Sequence, residues 1–143
     1  MDIVFEKKAL ETIIEHSQNS YPEECCGILF AKPDNDGNAV ISVAEKLDNN
    51  TGSENKKTHY SIDPLVIYEY EKKYREKGYE AAGFYHSHPD APAILSGEDE
   101  REMIPEMPYV IASVINGKCI EIRGWRKEIK DEGYHISNFK NFF

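Results

Sequence analysis

The dipeptide Asn116-Gly117 separates two segments that are rich in apolar and β-branched residues, 109–115 and 118–125. Asn-Gly is favoured in two-residue hairpin turns because both positions adopt positive φ, and such a turn joins antiparallel strands. The dipeptide therefore predicts a hairpin in the second half of the chain. The presence of a hairpin excludes an all-helical fold. Its apolar face also needs a second layer of structure to cover it.

Two other segments have the periodicity or the end signals of helices that can form this layer. Residues 6–19 predict an amphipathic helix, because apolar residues recur there at helical spacing. These apolar residues are Ala9, Leu10, Ile13 and Ile14. Asp63 is a good N-cap, Pro64 suits the first helical position, and Gly78 suits the end of a helix. A second helix is therefore expected from Pro64 to shortly before Gly78.

The rest of the chain predicts further strands, a short helix and polar connections. Predicted strands cover residues 25–31, 39–44, 58–62, 81–86 and 134–136, and a short helix covers 97–104. Residues 33–38 predict a turn, and residues 48–57 predict an exposed loop that could gate a site. Helices alternate with strands and hairpins, so the expected fold class is α+β with a mixed sheet. The packing of the apolar end, Phe142-Phe143, stays open.

Composition limits the class of protein and of partner. The chain has 143 residues, a length that predicts one domain over residues 1–143. Its 26 acidic and 17 basic residues leave a net charge of −9, which disfavours nucleic acid and anionic membranes as partners. No stretch approaches the ~18 apolar residues of a membrane span, and the first residues lack a signal-peptide pattern. Three cysteines, with Cys25 and Cys26 adjacent, suit a reducing cytoplasm. The oligomeric state is not indicated.

Two histidines at the end of a predicted strand form the strongest candidate site. His86 and His88 are two residues apart, and residues at this spacing on a strand point to the same side. Asp99 follows on the predicted short helix and can supply a carboxylate ligand. Two imidazoles and one carboxylate suit zinc with a fourth position open for water, as in catalytic rather than structural zinc sites.

Each part of this pattern also has a purely structural interpretation. A His-x-His pair alone is weak evidence for a metal site. Ser96 and Asp99 stand three residues apart and match a capping box, and acidic residues are favourable in the first turn of a helix. The residues alone leave both interpretations open.

The combined pattern resembles the signature of the JAMM (MPN+) zinc metallopeptidases. Residues 86–99 read His-x-His-Pro and then, seven residues after the proline, Ser-x-x-Asp. The family motif adds a glutamate far upstream, just before a buried strand, and Glu24 stands at the matching position. The resemblance extends over about residues 3–125. It implies an MPN/JAB (deaminase-like) domain with a mixed, curved β-sheet flanked by helices.

The resemblance also implies a role for each residue of the motif. Zn²⁺ would be held by the two histidines and the aspartate, and its bound water would attack a peptide or isopeptide carbonyl. Glu24 would be the general base, and Ser96 would stabilise the developing oxyanion or position the substrate carbonyl. Glu23 is the alternative base, because spacing alone does not separate it from Glu24.

The substrate expected from the resemblance is the C-terminus of a ubiquitin-like or sulfur-carrier protein that ends in Gly-Gly. Residues 88–96 hold no insertion, as in stand-alone prokaryotic members of the family. Peptide, isopeptide and cysteine-adduct cleavage all remain open. Two alternatives remain as well: a non-catalytic MPN binding scaffold, and a RadC-like DNA-associated zinc protein, which shares the histidine, serine and aspartate pattern.

Overall fold

The computed structural model describes residues 3–33 and 39–141. Within these ranges the chain forms seven strands, three α-helices and one short 3-10 turn at Ser53–Asn55. In chain order the strands and helices are β1 (Ile3–Phe5), α1 (Lys7–Ser20), β2 (Cys26–Pro33), β3 (Ala39–Leu47), α2 (Pro64–Arg75), β4 (Glu80–Pro89), α3 (Gly97–Glu102), β5 (Tyr109–Ile115), β6 (Lys118–Lys130) and β7 (Gly133–Asn141).

All seven strands belong to one mixed sheet in the order β1-β3-β2-β4-β5-β6-β7. The pairs β1/β3 and β4/β5 are parallel, and the other pairs are antiparallel. Register shifts interrupt several of the antiparallel ladders, and bulges of this kind bend and twist a sheet. This architecture confirms the expected α+β class with a mixed sheet.

Helix α1 covers one face of the sheet. Ala9 and Ile13, from the predicted apolar stripe, are buried in a cluster with Leu29, Val110 and Ile122 of the strands. The stripe recurs at helical spacing while the strand residues alternate, so each element presents one apolar side to the other.

The opposite face of the sheet carries a second cluster, which includes residues of α2. Ile28 and Phe30 flank Leu29 in sequence and point to this other side, as period-two alternation requires. The ring of Tyr74 from α2 stacks on Phe30 with centroids 4.3 Å apart. Because β4 also alternates, Phe84 belongs to this side while Tyr85 belongs to the α1 side.

Two of the strongest local signals are confirmed. Asn116 and Gly117 both have positive φ, at 50° and 82°, and join β5 to β6 with Ile115 opposite Lys118. The carboxylate of Asp63 accepts a hydrogen bond of 2.9 Å from the Leu65 amide at the start of α2.

Other expectations differ from the structure. The predicted strand at 58–62 is wrong: this segment pairs with none of the described strands, and the Asn49 side chain bonds its backbone instead. Strand β1 was not predicted, since three residues carry no periodicity, and β7 is longer than expected. Most of the predicted turn at 33–38, as well as Phe142-Phe143, lies outside the described residues. No helix in the described ranges is long and apolar enough to cross a membrane.

We predict that Gly83→Ala destabilises the fold more than an ordinary glycine substitution. Gly83 has φ of 137°, and an added Cβ would meet the carbonyl oxygen of Pro108. Backbone strain and overpacking together should lower the free energy of unfolding by about 2–4 kcal/mol, measured by urea denaturation.

The matched control is Gly133→Ala. Gly133 also has positive φ, at 113°, but among the described residues other than its chain neighbours no atom lies within 4 Å of an added Cβ. The loss of unfolding free energy in Gly133→Ala should therefore come from backbone strain alone. Equal losses in the two variants would contradict the steric argument.

Candidate metal centre and its cleft

Strand β4 carries both histidines on one face at its C-terminal end. The strand continues to Pro89, so His86 and His88 are both strand residues and point to the same side. His86 is 1% exposed, and the Nε2 atoms of the two imidazoles are 3.1 Å apart. The sequence argument for a shared side is therefore confirmed.

Asp99, in the first turn of α3, brings its carboxylate to both imidazoles. Its Oδ2 lies 3.0 Å from His88 Nε2, and its Oδ1 lies 3.3 Å from His86 Nε2. The same carboxylate accepts a 3.0 Å bond from the Ser96 amide, and Ser96 Oγ accepts a 3.0 Å bond from the Asp99 amide. The capping box and the histidine contacts therefore occur together, and the two interpretations of this segment are compatible.

The spacing of these three side chains fits a metal ion. Ligand atoms 2.0–2.1 Å from a tetrahedral zinc lie about 3.3 Å from one another. The contacts among His86, His88 and Asp99 span 3.0–3.3 Å. Nitrogen and oxygen donors of this kind are borderline-hard ligands that suit zinc and similar divalent metals.

Strand pairing brings Glu24 to the same place. Cys26 stands opposite His86 in the β2/β4 ladder, and the Ser87 amide bonds the Cys25 carbonyl at 3.1 Å. This antiparallel register places Glu24 across from His88, and opposite residues share a face. The carboxylate of Glu24 and the imidazole nitrogens of His86 and His88 lie within 4.8 Å of one another. Together they are a second group able to hold a metal.

The two candidate bases differ in their surroundings. Glu24 is 7% exposed, whereas Glu23 is exposed. Burial raises the pKa of Glu24 to about 8, although the charge of His88 acts in the opposite direction. A carboxyl group with a pKa near neutrality is suited to accepting and releasing a proton. Of the two glutamates, Glu24 has the environment of a base.

The pKa values of Asp99 and His86 are shifted the opposite way. Burial acts to raise the pKa of Asp99, but hydrogen bonds from His86 and His88 outweigh it and hold that pKa well below its usual range. Burial lowers the pKa of His86 and favours its neutral form, which is the form that binds metals. Two carboxyl groups whose pKa values are pushed apart in one site can take different roles.

Asn49 ties the segment that follows β3 to the backbone of Glu24. Its Nδ2 donates to the carbonyl oxygens of Glu24 and His59, at 3.1 and 2.9 Å. Its Oδ1 accepts from the amides of Thr51 and Ser61, at 3.1 and 3.2 Å. All four hydrogen-bonding positions of this side-chain amide are used. The role of Asn49 is not visible in the sequence, because no local pattern marks a side chain that bonds the backbone groups a neighbouring strand would otherwise pair with.

A cleft of 910 Å³ opens beside these residues. Apolar side chains on its walls are Ile62, Ile67, Phe84, Ile94 and Ile104. His59 and Glu98 both line the cleft, and the 3.3 Å contact of His59 Nε2 with Glu98 Oε2 joins the segment before α2 to α3. Ser96 is exposed and also lines the cleft.

Comparisons with known proteins agree on one family. A family model described as prokaryotic homologs of the JAB domain matches residues 6–127. A desampylase of Haloferax volcanii is 31% identical over 110 residues, which span 73% of this chain and 76% of that protein. A probable TtuB-protein conjugate cleaving protease of Thermus thermophilus is 39% identical over 54 residues, 38% of this chain and 36% of that protein.

Solved structures extend the likeness over nearly the whole chain. The solution structure of a protein from Desulfitobacterium hafniense has a TM-score of 0.76 and 30% identity, and the match covers 95% of this chain and 90% of that one. A solution structure from Salinibacter ruber has a TM-score of 0.67 and 27% identity, with 94% and 88% covered.

We predict that Asn49→Ala destabilises the loop that borders the site. The change removes four hydrogen bonds and leaves backbone groups of Glu24 and Ser61 without these partners. A loss of about 1–3 kcal/mol in the free energy of unfolding is expected, measured by urea denaturation without metal. The control is Asn50→Ala, since Asn50 bonds the Ser61 carbonyl through its own backbone amide. Equal stability of the two variants would contradict the role of the Asn49 side chain.

Proposed function

The chain belongs to the family of prokaryotic homologs of the JAB domain, and we propose that it is a zinc-dependent peptidase or isopeptidase. In this proposal residues 1–143 act as a single metallopeptidase domain. The observation that carries it is the meeting of two histidines and an aspartate, within 3.0–3.3 Å of each other, beside a buried glutamate.

The proposed zinc ligands are His86, His88 and Asp99. Asp99 is the better third ligand because its oxygens contact both imidazoles, and this leaves the carboxylate of Glu24 free for proton transfer. A zinc ion bound by these residues would supply a water activated at neutral pH and polarise the substrate carbonyl.

Glu24 is the proposed general base. It would accept a proton from the attacking water and return that proton to the leaving nitrogen as the carbon–nitrogen bond breaks. Its burial and its raised pKa support this role, because a carboxyl group with a pKa near neutrality can hold and release a proton. Glu23, in contrast, is exposed.

Ser96 is the proposed donor to the oxyanion. Its Oγ accepts a bond from the Asp99 amide, which uses one of its lone pairs and leaves the hydroxyl proton free to donate. Ser96 and Asp99 both line the cleft, which supports donation of that proton to a carbonyl oxygen bound there. A preorganised donor of this kind favours the charge that develops on the carbonyl oxygen.

The proposed substrate is the C-terminal tail of a ubiquitin-like or sulfur-carrier protein. One relative is named a desampylase and the other a probable TtuB-protein conjugate cleaving protease, and cleavage of a protein conjugate supports this class. Ile94 and Ile104, both 51% exposed, border the cleft and offer apolar contacts to an extended tail. A Gly-Gly end would approach the ligands most closely, since glycine lacks a side chain.

Two alternative functions have less support from the structure and the sequence. A binding scaffold without a metal has no need for two histidines and an aspartate whose ligand atoms converge. A DNA-associated zinc protein would need basic residues, whereas Glu98 and Glu102 line the cleft and the chain carries a net charge of −9.

The proposed substrate class is tested with a panel of carrier fusions. Zinc-loaded protein is incubated with ubiquitin-like and sulfur-carrier proteins joined through Gly-Gly to a peptide or to a lysine side chain. Intact mass spectrometry should show cleavage directly after Gly-Gly, and Ala-Ala versions should stay intact. If every fusion survives while zinc is bound, the substrate proposal fails. Plasmid cleavage that disappears in His86→Ala would favour the DNA-associated alternative instead.

The role of Glu24 is tested by comparing its glutamine variant with the same change at Glu23. Glu24→Gln should keep zinc and lower kcat by about 10²–10⁴-fold, because the amide cannot accept the proton. Glu23→Gln should leave both unchanged, whereas His88→Ala should lose zinc and activity together. Zinc content by mass spectrometry and kcat on a cleaved fusion distinguish the three variants. Full activity of Glu24→Gln would assign the base to another residue.

A further inference from the structure

His86 and His88 differ in the hydrogen bonding of Nδ1, the ring nitrogen that does not contact Asp99. Metal-binding histidines almost always donate this nitrogen to a carbonyl or carboxylate, which orients the ring. His88 follows the rule, with Nδ1 2.9 Å from the Pro92 carbonyl oxygen. His86 does not, because its buried Nδ1 has no hydrogen-bond partner among the described residues. The orientation of the His86 ring must therefore have another source.

An aromatic ring lies against His86. The Tyr60 ring is stacked on the imidazole with centroids 4.4 Å apart and an interplanar angle of 21°. Rotation of a histidine ring about its last torsion is otherwise loosely restricted. The stacked ring restricts the plane of the imidazole, and the contact of Nε2 with Asp99 selects which edge of the ring faces the site.

Tyr60 is itself held in place by its chain neighbours. The carbonyl of His59 and the amide of Ser61 both bond the Asn49 side chain, so the backbone is fixed on either side of Tyr60. The carbonyl of Ser61 also accepts a 2.8 Å bond from the Asn50 amide. The ring therefore sits on an anchored segment, although this segment is part of no strand.

We infer that Tyr60 is a positioning residue of the metal centre, whose ring sets the plane of the His86 imidazole in place of the missing hydrogen bond. The inference rests on the proposed function and deepens it, because it assigns a new residue to the same site. Metal affinity then depends on a flat ring at position 60 and on the Asn49 contacts that hold it. A merely structural role for Tyr60 would require only apolar volume.

The test measures metal binding rather than peptidase activity. Zn²⁺ affinity is determined by competition with a chromophoric chelator, and the visible absorption of bound Co²⁺ reports the ligand geometry. Tyr60→Leu should weaken Zn²⁺ binding by about tenfold or more and alter the Co²⁺ spectrum. Tyr60→Phe, which keeps the ring, should match the unaltered protein. Tyr68→Leu is the control, since this tyrosine of α2 is 60% exposed.

Thermal unfolding of the metal-free variants separates positioning from folding. If Tyr60→Leu unfolds, Asn49→Ser tests the same link, and it should weaken Zn²⁺ binding in the same direction. Unchanged Zn²⁺ affinity and Co²⁺ spectrum in a folded variant of either kind would overturn the inference. If these variants lose metal as expected but the unaltered protein cleaves no fusion, the positioning role stands and the proposed peptidase function fails.

Discussion

The antiparallel pairing of β2 with β4 is the constraint on which the candidate site depends. Cys26 stands opposite His86, and the Cys25 amide donates to Ser87 Oγ at 2.9 Å beyond the last paired residues. A slip of one residue would turn Glu24 away from His88, because side chains alternate along a strand. Apolar clusters on both faces of the sheet oppose such a slip, since it would move every buried side chain of the strand to the opposite face and disrupt the packing of both clusters.

The segment from β4 into α3 completes the site through one carboxylate, which makes two kinds of contact. Asp99 closes the capping box with Ser96 and at the same time contacts both imidazoles. The partial positive charge at a helix N-terminus and the two histidines favour the ionised form of this carboxyl group. The same residues therefore start the helix and bring the Asp99 carboxylate to the histidines, so a helix-start pattern and the proposed metal motif coincide.

In the segment after β3, the local sequence pattern does not predict the structure that forms. Residues 58–62 have the composition of a strand, and the first part of the loop is polar, so a strand and a solvated loop were expected. In the structure the Asn49 side chain bonds the backbone that a neighbouring strand would have paired. Nothing local marks Asn49 for this role, and nothing marks Tyr60 as a partner of His86. Both roles depend on contacts between residues distant in sequence.

The sequence by itself determined the first helix, expected over residues 6–19, as well as the Asn116-Gly117 hairpin, the α+β class and the pattern of His86, His88 and Asp99. Turn chemistry and side-chain periodicity act over a few residues, so these features are local. Only the tertiary structure decided which glutamate faces the histidines, that α3 brings Asp99 to both of them, and what lies against His86. Those outcomes depend on strand register and on contacts across the sheet, where burial and charge depend on neighbours far away in the chain.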